Sequence, residues 1–156
     1  MTAREPVTSL GLPHPDRLLP TDPGLRRTAR DLYQQVAGLP LVSPHGHVDA
    51  SVLARDEPYG DPVALLVRPD HYVLRLLHAQ GLDLADLGLV ERGTGPGRDG
   101  AEGTDVTSAR AVWRLLCRYW PVFRGTVMRL WLEDELASLF GIREPLDEGN
   151  ADATFD

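Results

Sequence analysis

Apolar positions along this chain recur far more often with the spacing of helices than with the alternation of strands. Thr21 or Asp22 can cap a helix, and Pro23 suits its first turn. Leu25, Ala29, Leu32, Tyr33 and Val36 then fall at offsets of 4, 7, 8 and 11, which is one apolar face of an α-helix. Gly38 is the expected stop. Upstream, Pro6, Pro13, Pro15 and Pro20 predict an extended lead-in. Downstream, Leu39-Pro40-Leu41-Val42-Ser43 is short, apolar and bounded by turn residues. It reads as a buried strand, with Pro40 near its start, where a lost donor is tolerated.

Beyond that strand the pattern is helical. Asp61-Pro62 opens a short segment with Val63, Leu65 and Leu66. Pro69-Asp70 opens another, with Tyr72, Val73, Leu76, Leu77 and Ala79 apolar before Gly81. Ser108 is placed to cap a helix bearing Val112, Trp113, Leu115, Leu116, Tyr119 and Trp120, which Pro121 ends. Thr126 is placed to cap the last helix, with Val127, Leu130, Trp131, Leu136, Leu139 and Phe140 facing inward and Gly141 at its stop. Between these helices, residues 91–105 hold Gly93, Gly95, Gly97, Gly100 and Gly103 among charges, which reads as a flexible surface loop. Their Gly-x-Gly pairs follow no strand, so a dinucleotide site is rejected. The acidic segment 144–156 is expected to fray.

Composition narrows the function classes. Sixteen basic and twenty-three acidic side chains give a formal charge of −7, against the basic field that nucleic acid or an anionic membrane requires. Every basic residue is Arg, which excludes a Schiff-base lysine and the lysine of a phosphate-binding loop. The single cysteine, Cys117, excludes an internal disulfide and reads as a small buried apolar residue. No stretch approaches the roughly 20 apolar residues of a membrane helix, and the N-terminus lacks a signal-peptide core. A cytoplasmic protein is the expectation.

Two clusters carry possible chemistry. His45-Gly46-His47 leaves the expected strand, and residues two apart in an extended segment point to the same side. Both imidazoles could then face one divalent metal, with Zn, Mn, Fe or Ni all suited to neutral imidazole. The competing reading is a pair of loop histidines bonded to backbone. Asp70-His71-Tyr72 is the second cluster. Asp70 could be only a helix cap and Tyr72 only a core aromatic, but with Arg75 one turn away the group could present a proton-transfer residue beside an anion-binding one. Trp113, Trp120 and Trp131 are expected to pack in the core, with Glu133-Asp134-Glu135 on a solvated face.

Read in succession, Asp16-Arg17-Leu18-Leu19-Pro20, Leu32-Tyr33, the run Leu39 to Asp49, Asp70-His71-Tyr72 with Arg75, Phe123-Arg124-Gly125-Thr126, Arg129 to Glu133, Glu135-Leu136 and Phe140-Gly141-Ile142 resemble the N-terminal part of a uronate isomerase of the amidohydrolase superfamily. Their order fits from about residue 14 to 145. The resemblance implies the N-terminal segment of a metal-dependent (β/α)8 (TIM) barrel with a helical insertion, mainly α as present with one or two short strands. It implies a lead-in and helix at 1–38, a first barrel strand and metal-binding loop at 39–50, a helical insertion subdomain at 51–145 and an acidic tail at 146–156.

It further implies interconversion of D-glucuronate with D-fructuronate, or D-galacturonate with D-tagaturonate. His45 and His47 would be metal ligands, with Zn the first expectation. His71 and Tyr72 would be catalytic and Arg75 substrate-binding. Because adjacent helical residues point about 100° apart, both rings can reach one sugar only from a helix N-terminus, where Pro69-Asp70 puts them. A complete barrel takes about 250 residues, so 156 residues cannot supply eight βα units. An incomplete form is expected, inactive alone and either oligomeric or associated with the missing barrel portion. Two other readings are a hydrolytic member of the superfamily and a non-catalytic helical module that docks a partner.

Overall fold

The helix starts fall where capping side chains stand in the sequence. In this computed structural model, which describes residues 14–43, 46, 49–89 and 108–156, six helices and one 3-10 turn follow in order. They are α1 (Pro23–Val36), α2 (Ala50–Arg55), α3 (Pro62–Leu66), α4 (His71–Ala79), α5 (Ala109–Tyr119), the turn Trp120–Phe123, and α6 (Val127–Leu139). Asp22 accepts a hydrogen bond from the Leu25 amide, Asp61 from Ala64, Ser108 from Ala111 and Thr126 from Arg129. Each satisfies an amide that the first helical turn leaves without a partner. Gly81 and Gly141 adopt φ of 90° and 71° just beyond α4 and α6, the left-handed conformation that ends a helix most cheaply at glycine.

α3, α4, α5, α6 and the 3-10 turn enclose a single core. Val63, Val67, Val73, Leu77, Val112, Trp113, Leu116, Cys117, Trp120, Phe123, Leu132 and Leu136 are buried together. Pro121 breaks α5, and the resulting 3-10 turn tucks both Trp120 and Phe123 inward, their ring centroids 5.6 Å apart. None of the described helices is long and apolar enough to cross a membrane.

Cys117 is among the core residues. Burial pushes its thiol up to about 12, opposed by a hydrogen bond with Thr154, so almost no thiolate exists at neutral pH. A disulfide reagent such as DTNB is therefore expected to leave the folded protein unmodified at pH 8 and to label one thiol once urea unfolds it. Rapid labelling of the native chain would contradict this burial.

Four expectations need correction. The strand expected at Leu39–Ser43 does not form: the described residues contain no strand, and Leu41 and Val42 are solvent-exposed. A strand needs a neighbouring strand to take its amides and carbonyls, and no such pairing forms among the described residues; the Leu39 amide instead donates to the Val36 carbonyl at 3.0 Å, closing the turn after α1. The face of α6 also differs. Met128, Leu132, Leu136 and Ala137 point inward, whereas Val127, Trp131, Leu139 and Phe140 are exposed. Because α6 is apolar on several sides, its periodicity did not single out one face.

The tail does not fray. Leu146 and Ala151 are buried, Trp113 Nε1 donates to Thr154 Oγ1 at 3.1 Å, and Arg114 makes a two-pronged pair with Asp152 at 3.0 Å on each prong. Arg110 reaches Asp152 and Asp156 and stacks on the Phe155 ring at 4.3 Å. Finally, α2 was not expected; its cap is Asp49, whose side chain accepts from the Ser51 amide at 2.7 Å. The expected glycine-rich loop at 91–105 lies outside the described residues.

Candidate active site

α4 positions the second cluster. Asp70 stands just before the helix in extended conformation, and its carboxylate accepts hydrogen bonds from the Tyr72 amide at 2.8 Å and the Val73 amide at 3.3 Å. This double cap starts the helix at His71. Val73 and Leu77 bury their side chains in the core, which fixes the rotation of α4 about its axis. His71, Tyr72 and Arg75 then face outward.

The three side chains lie close together. The His71 and Tyr72 rings are 4.1 Å apart between centroids and tilted by 35°. The Arg75 guanidinium is 6.0 Å from the Tyr72 ring, at the outer range of a cation–π contact. Tyr72 is 45 % exposed, so the core-aromatic reading of this residue is wrong. An imidazole and a phenol thus stand in the first turn of α4 with a guanidinium one turn further on, beside the Asp70 carboxylate that already takes two of that turn's amides.

Carboxylates close the α6 side of α4. A cleft of ≈310 Å³ is lined by Tyr59, Leu65, Pro69, Asp70, Trp131 and Glu135, among others. Glu135 is held above the usual carboxylate range, first by partial burial and then by the charges of Asp70 and Asp134. A larger cleft of ≈530 Å³ runs beneath the C-terminal segment, between Leu65, Trp113, Ile142 and Phe155. Neither cleft is lined by His71, Tyr72 or Arg75.

His45 and His47 lie outside the described residues. The flanking geometry is visible only at Gly46, which is exposed, and at Asp49, which caps α2. The Ser51 amide and hydroxyl hold the Asp49 carboxyl below its ordinary range. Among the described residues no group of three or more His, Cys, Asp or Glu side chains could hold a metal ion.

Comparison with known proteins gives the family. Residues 24–156 match the family model described as glucuronate isomerase. This chain belongs to the glucuronate isomerase family. A uronate isomerase from Corynebacterium glutamicum is 44 % identical over 154 residues, which is 96 % of this chain and 27 % of that protein. One from Xanthomonas axonopodis pv. citri is 45 % identical over 153 residues, covering 98 % of this chain and 30 % of its own length. The crystal structure of glucuronate isomerase from Caulobacter crescentus superposes with a TM-score of 0.78 at 40 % identity, over 92 % of this chain and 28 % of that one. A uronate isomerase from Thermotoga maritima gives a TM-score of 0.64 at 26 % identity.

Within the glucuronate isomerase family, then, this chain spans less than a third of the length of the relatives it matches. The structure groups three of the five candidate site residues along the N-terminal half of α4, His71 and Tyr72 in its first turn and Arg75 one turn on. One residue near that end was missed as part of its surroundings. Glu135 was read only as part of a solvated acidic face, yet it shares a cleft with Asp70 and its carboxyl is raised partly by the Asp70 charge. No local signal could have shown this, because Asp70 and Glu135 stand on elements far apart in sequence, before α4 and within α6.

Proposed function

We propose that this chain is the N-terminal part of a uronate isomerase, which interconverts D-glucuronate with D-fructuronate, or D-galacturonate with D-tagaturonate. The observation that carries this is the exposed grouping of His71, Tyr72 and Arg75 on the N-terminal half of α4, in a chain that belongs to the glucuronate isomerase family. Aldose–ketose isomerisation moves a carbonyl from C1 to C2. A base takes the proton from C2 while the C1 carbonyl oxygen gains one, giving an enediol; C1 then gains a proton as the C2 hydroxyl gives up its own. Imidazole and phenol serve such transfers near neutral pH. In this assignment His71 and Tyr72 move or hold those protons, and Arg75 pairs with the C6 carboxylate, ideally through two parallel hydrogen bonds.

The residue types at His45 and His47 fit a divalent metal, with Zn preferred and Mn, Fe or Ni also suited. When bound there, such an ion would polarise a sugar oxygen and help orient the substrate. Two ligands fall short of the three protein ligands of an ordinary catalytic zinc site, so a further ligand would come from outside this segment. In the same reading, Leu39–Ser43 becomes the first strand of a (β/α)8 barrel once a neighbouring strand pairs with it, and residues 51–145 form its helical insertion. The protein would act in the cytoplasm, associated with the rest of the barrel, and the 156-residue chain by itself would turn over no glucuronate.

The test is a chimera in which this chain replaces the matching segment of the Caulobacter crescentus enzyme. Glucuronate isomerisation by the chimera supports the proposal. His71→Asn is expected to lower kcat by about 10²- to 10⁴-fold, the usual worth of a general acid or base, with metal content unchanged. Tyr72→Phe removes the hydroxyl and keeps the ring. Hydrolysis of an amide without isomerisation, or variants that only unfold the protein, would overturn the assignment.

A further inference from the structure

Among the described helices longer than six residues, only α1 buries nothing. Its sequence has the stripe of a helix that packs against a neighbour, yet none of its residues is buried. Leu25, Leu32, Tyr33 and Val36 are each between 52 and 66 % exposed. Just after the helix in sequence, Leu39, Leu41 and Val42 are mostly exposed as well. Several large apolar side chains exposed on one short segment mark a contact site, and a helix of 14 residues is marginal in water without one.

The polar side of α1 is already engaged. Arg26 donates from Nε to the Pro20 carbonyl at 2.9 Å and from Nη2 to the Thr21 carbonyl at 2.8 Å, and Arg30 pairs with Asp16. Arg17 in turn pairs with Asp134 on α6 at 3.0 Å. The lead-in is thus tied to α1 through Asp16, Pro20 and Thr21 and to α6 through Arg17. None of these ties covers Leu25, Leu32, Tyr33 or Val36.

The matched length identifies what covers this side. The family match begins at residue 24, within the first turn of α1, and runs to residue 156. The same segment makes up only 27–30 % of two uronate isomerases and 28 % of the Caulobacter crescentus enzyme. Apolar side chains that find no partner inside the matched segment have the rest of that fold as their available neighbour.

We infer that the apolar face of α1, with Leu39, Leu41 and Val42, is the docking surface for the part of the uronate isomerase fold that lies C-terminal to this segment. The inference rests on the family reading but not on the assigned chemistry. It makes α1 a hinge-free clamp between the helical body and the barrel, seated by Leu25, Leu32, Tyr33 and Val36.

The experiment compares one double substitution, Leu32→Glu with Val36→Glu, in the 156-residue chain and in the chimera described above. In the chain alone the melting temperature is expected to move by no more than about 2 °C, because surface changes cost little. In the chimera a fall of about 10 °C or more is expected, since two carboxylates would be forced into an apolar interface. Leu32→Ala with Val36→Ala should give a smaller fall in the chimera only. If the chimera does not fold, the same substitutions at the aligned positions of the Caulobacter crescentus enzyme decide the question. Equal shifts in both contexts, or none in the longer protein, would overturn the inference. So would a 156-residue chain that forms dimers which the double substitution disperses, because a second copy would then be the occupant. A chimera with the expected melting behaviour but no isomerase activity would refute the proposed function and leave the docking surface standing.

Discussion

Trp113→Ala is expected to destabilise the protein by about 3–5 kcal/mol, the usual cost of deleting a buried tryptophan side chain. Trp113 is 1 % exposed, sits in α5 against Val112, Leu116 and the other core residues, and lines the cleft beneath the C-terminal segment. Its indole N–H donates to Thr154, so the substitution both opens a cavity and releases the tail. Domains of this size are stable by only about 5–15 kcal/mol, and the loss would consume a large part of that. Urea unfolding followed by circular dichroism gives the measurement. Thr154→Val separates the two contributions, since it removes the hydroxyl alone and should cost only about 1 kcal/mol. A Trp113→Ala midpoint within experimental error of the parent would contradict the packing of the tail on α5.

His45→Ala with His47→Ala is expected to abolish metal binding and isomerase activity in the chimera with the Caulobacter crescentus enzyme. The two imidazoles are the only pair of histidines in the chain set two residues apart, and neutral imidazole is the commonest protein ligand for Zn. Metal content is read by elemental analysis after dialysis, and activity by loss of glucuronate. Because a ligand that binds only the folded state raises the melting temperature, a chelator should lower the melting temperature of the parent chimera and leave the double variant unmoved. The 156-residue chain should bind metal weakly, with two ligands at most from this motif. Metal content and activity that survive the double change would refute this assignment.

The candidate site was half legible in sequence. Asp70 before His71 and Tyr72 is a local signal, because a side chain two or three residues from the amide it caps needs nothing beyond its own turn. What the sequence could not supply was the outward rotation of α4, which Val73 and Leu77 determine by entering the core. Nor could it place Glu135 of α6 beside Asp70.

The same division runs through the fold. The caps Asp22, Asp61, Ser108 and Thr126, and the left-handed glycines 81 and 141, were readable because each acts within a few residues. α2 escaped notice because six residues are too few to display a helical period, and its cap belongs to the run that follows the His pair. On α6, apolar residues cover several sides, and only packing into the shared core selects Met128, Leu132 and Leu136 for burial. The tail looked merely acidic until Arg110 and Arg114, some forty residues earlier on α5, brought opposite charge to Asp152 and Asp156. Leu39–Ser43 shows the limit most plainly. Its composition specifies a strand, but strand hydrogen bonds are made between segments rather than within one, so its conformation depends on a neighbour that the local sequence does not contain.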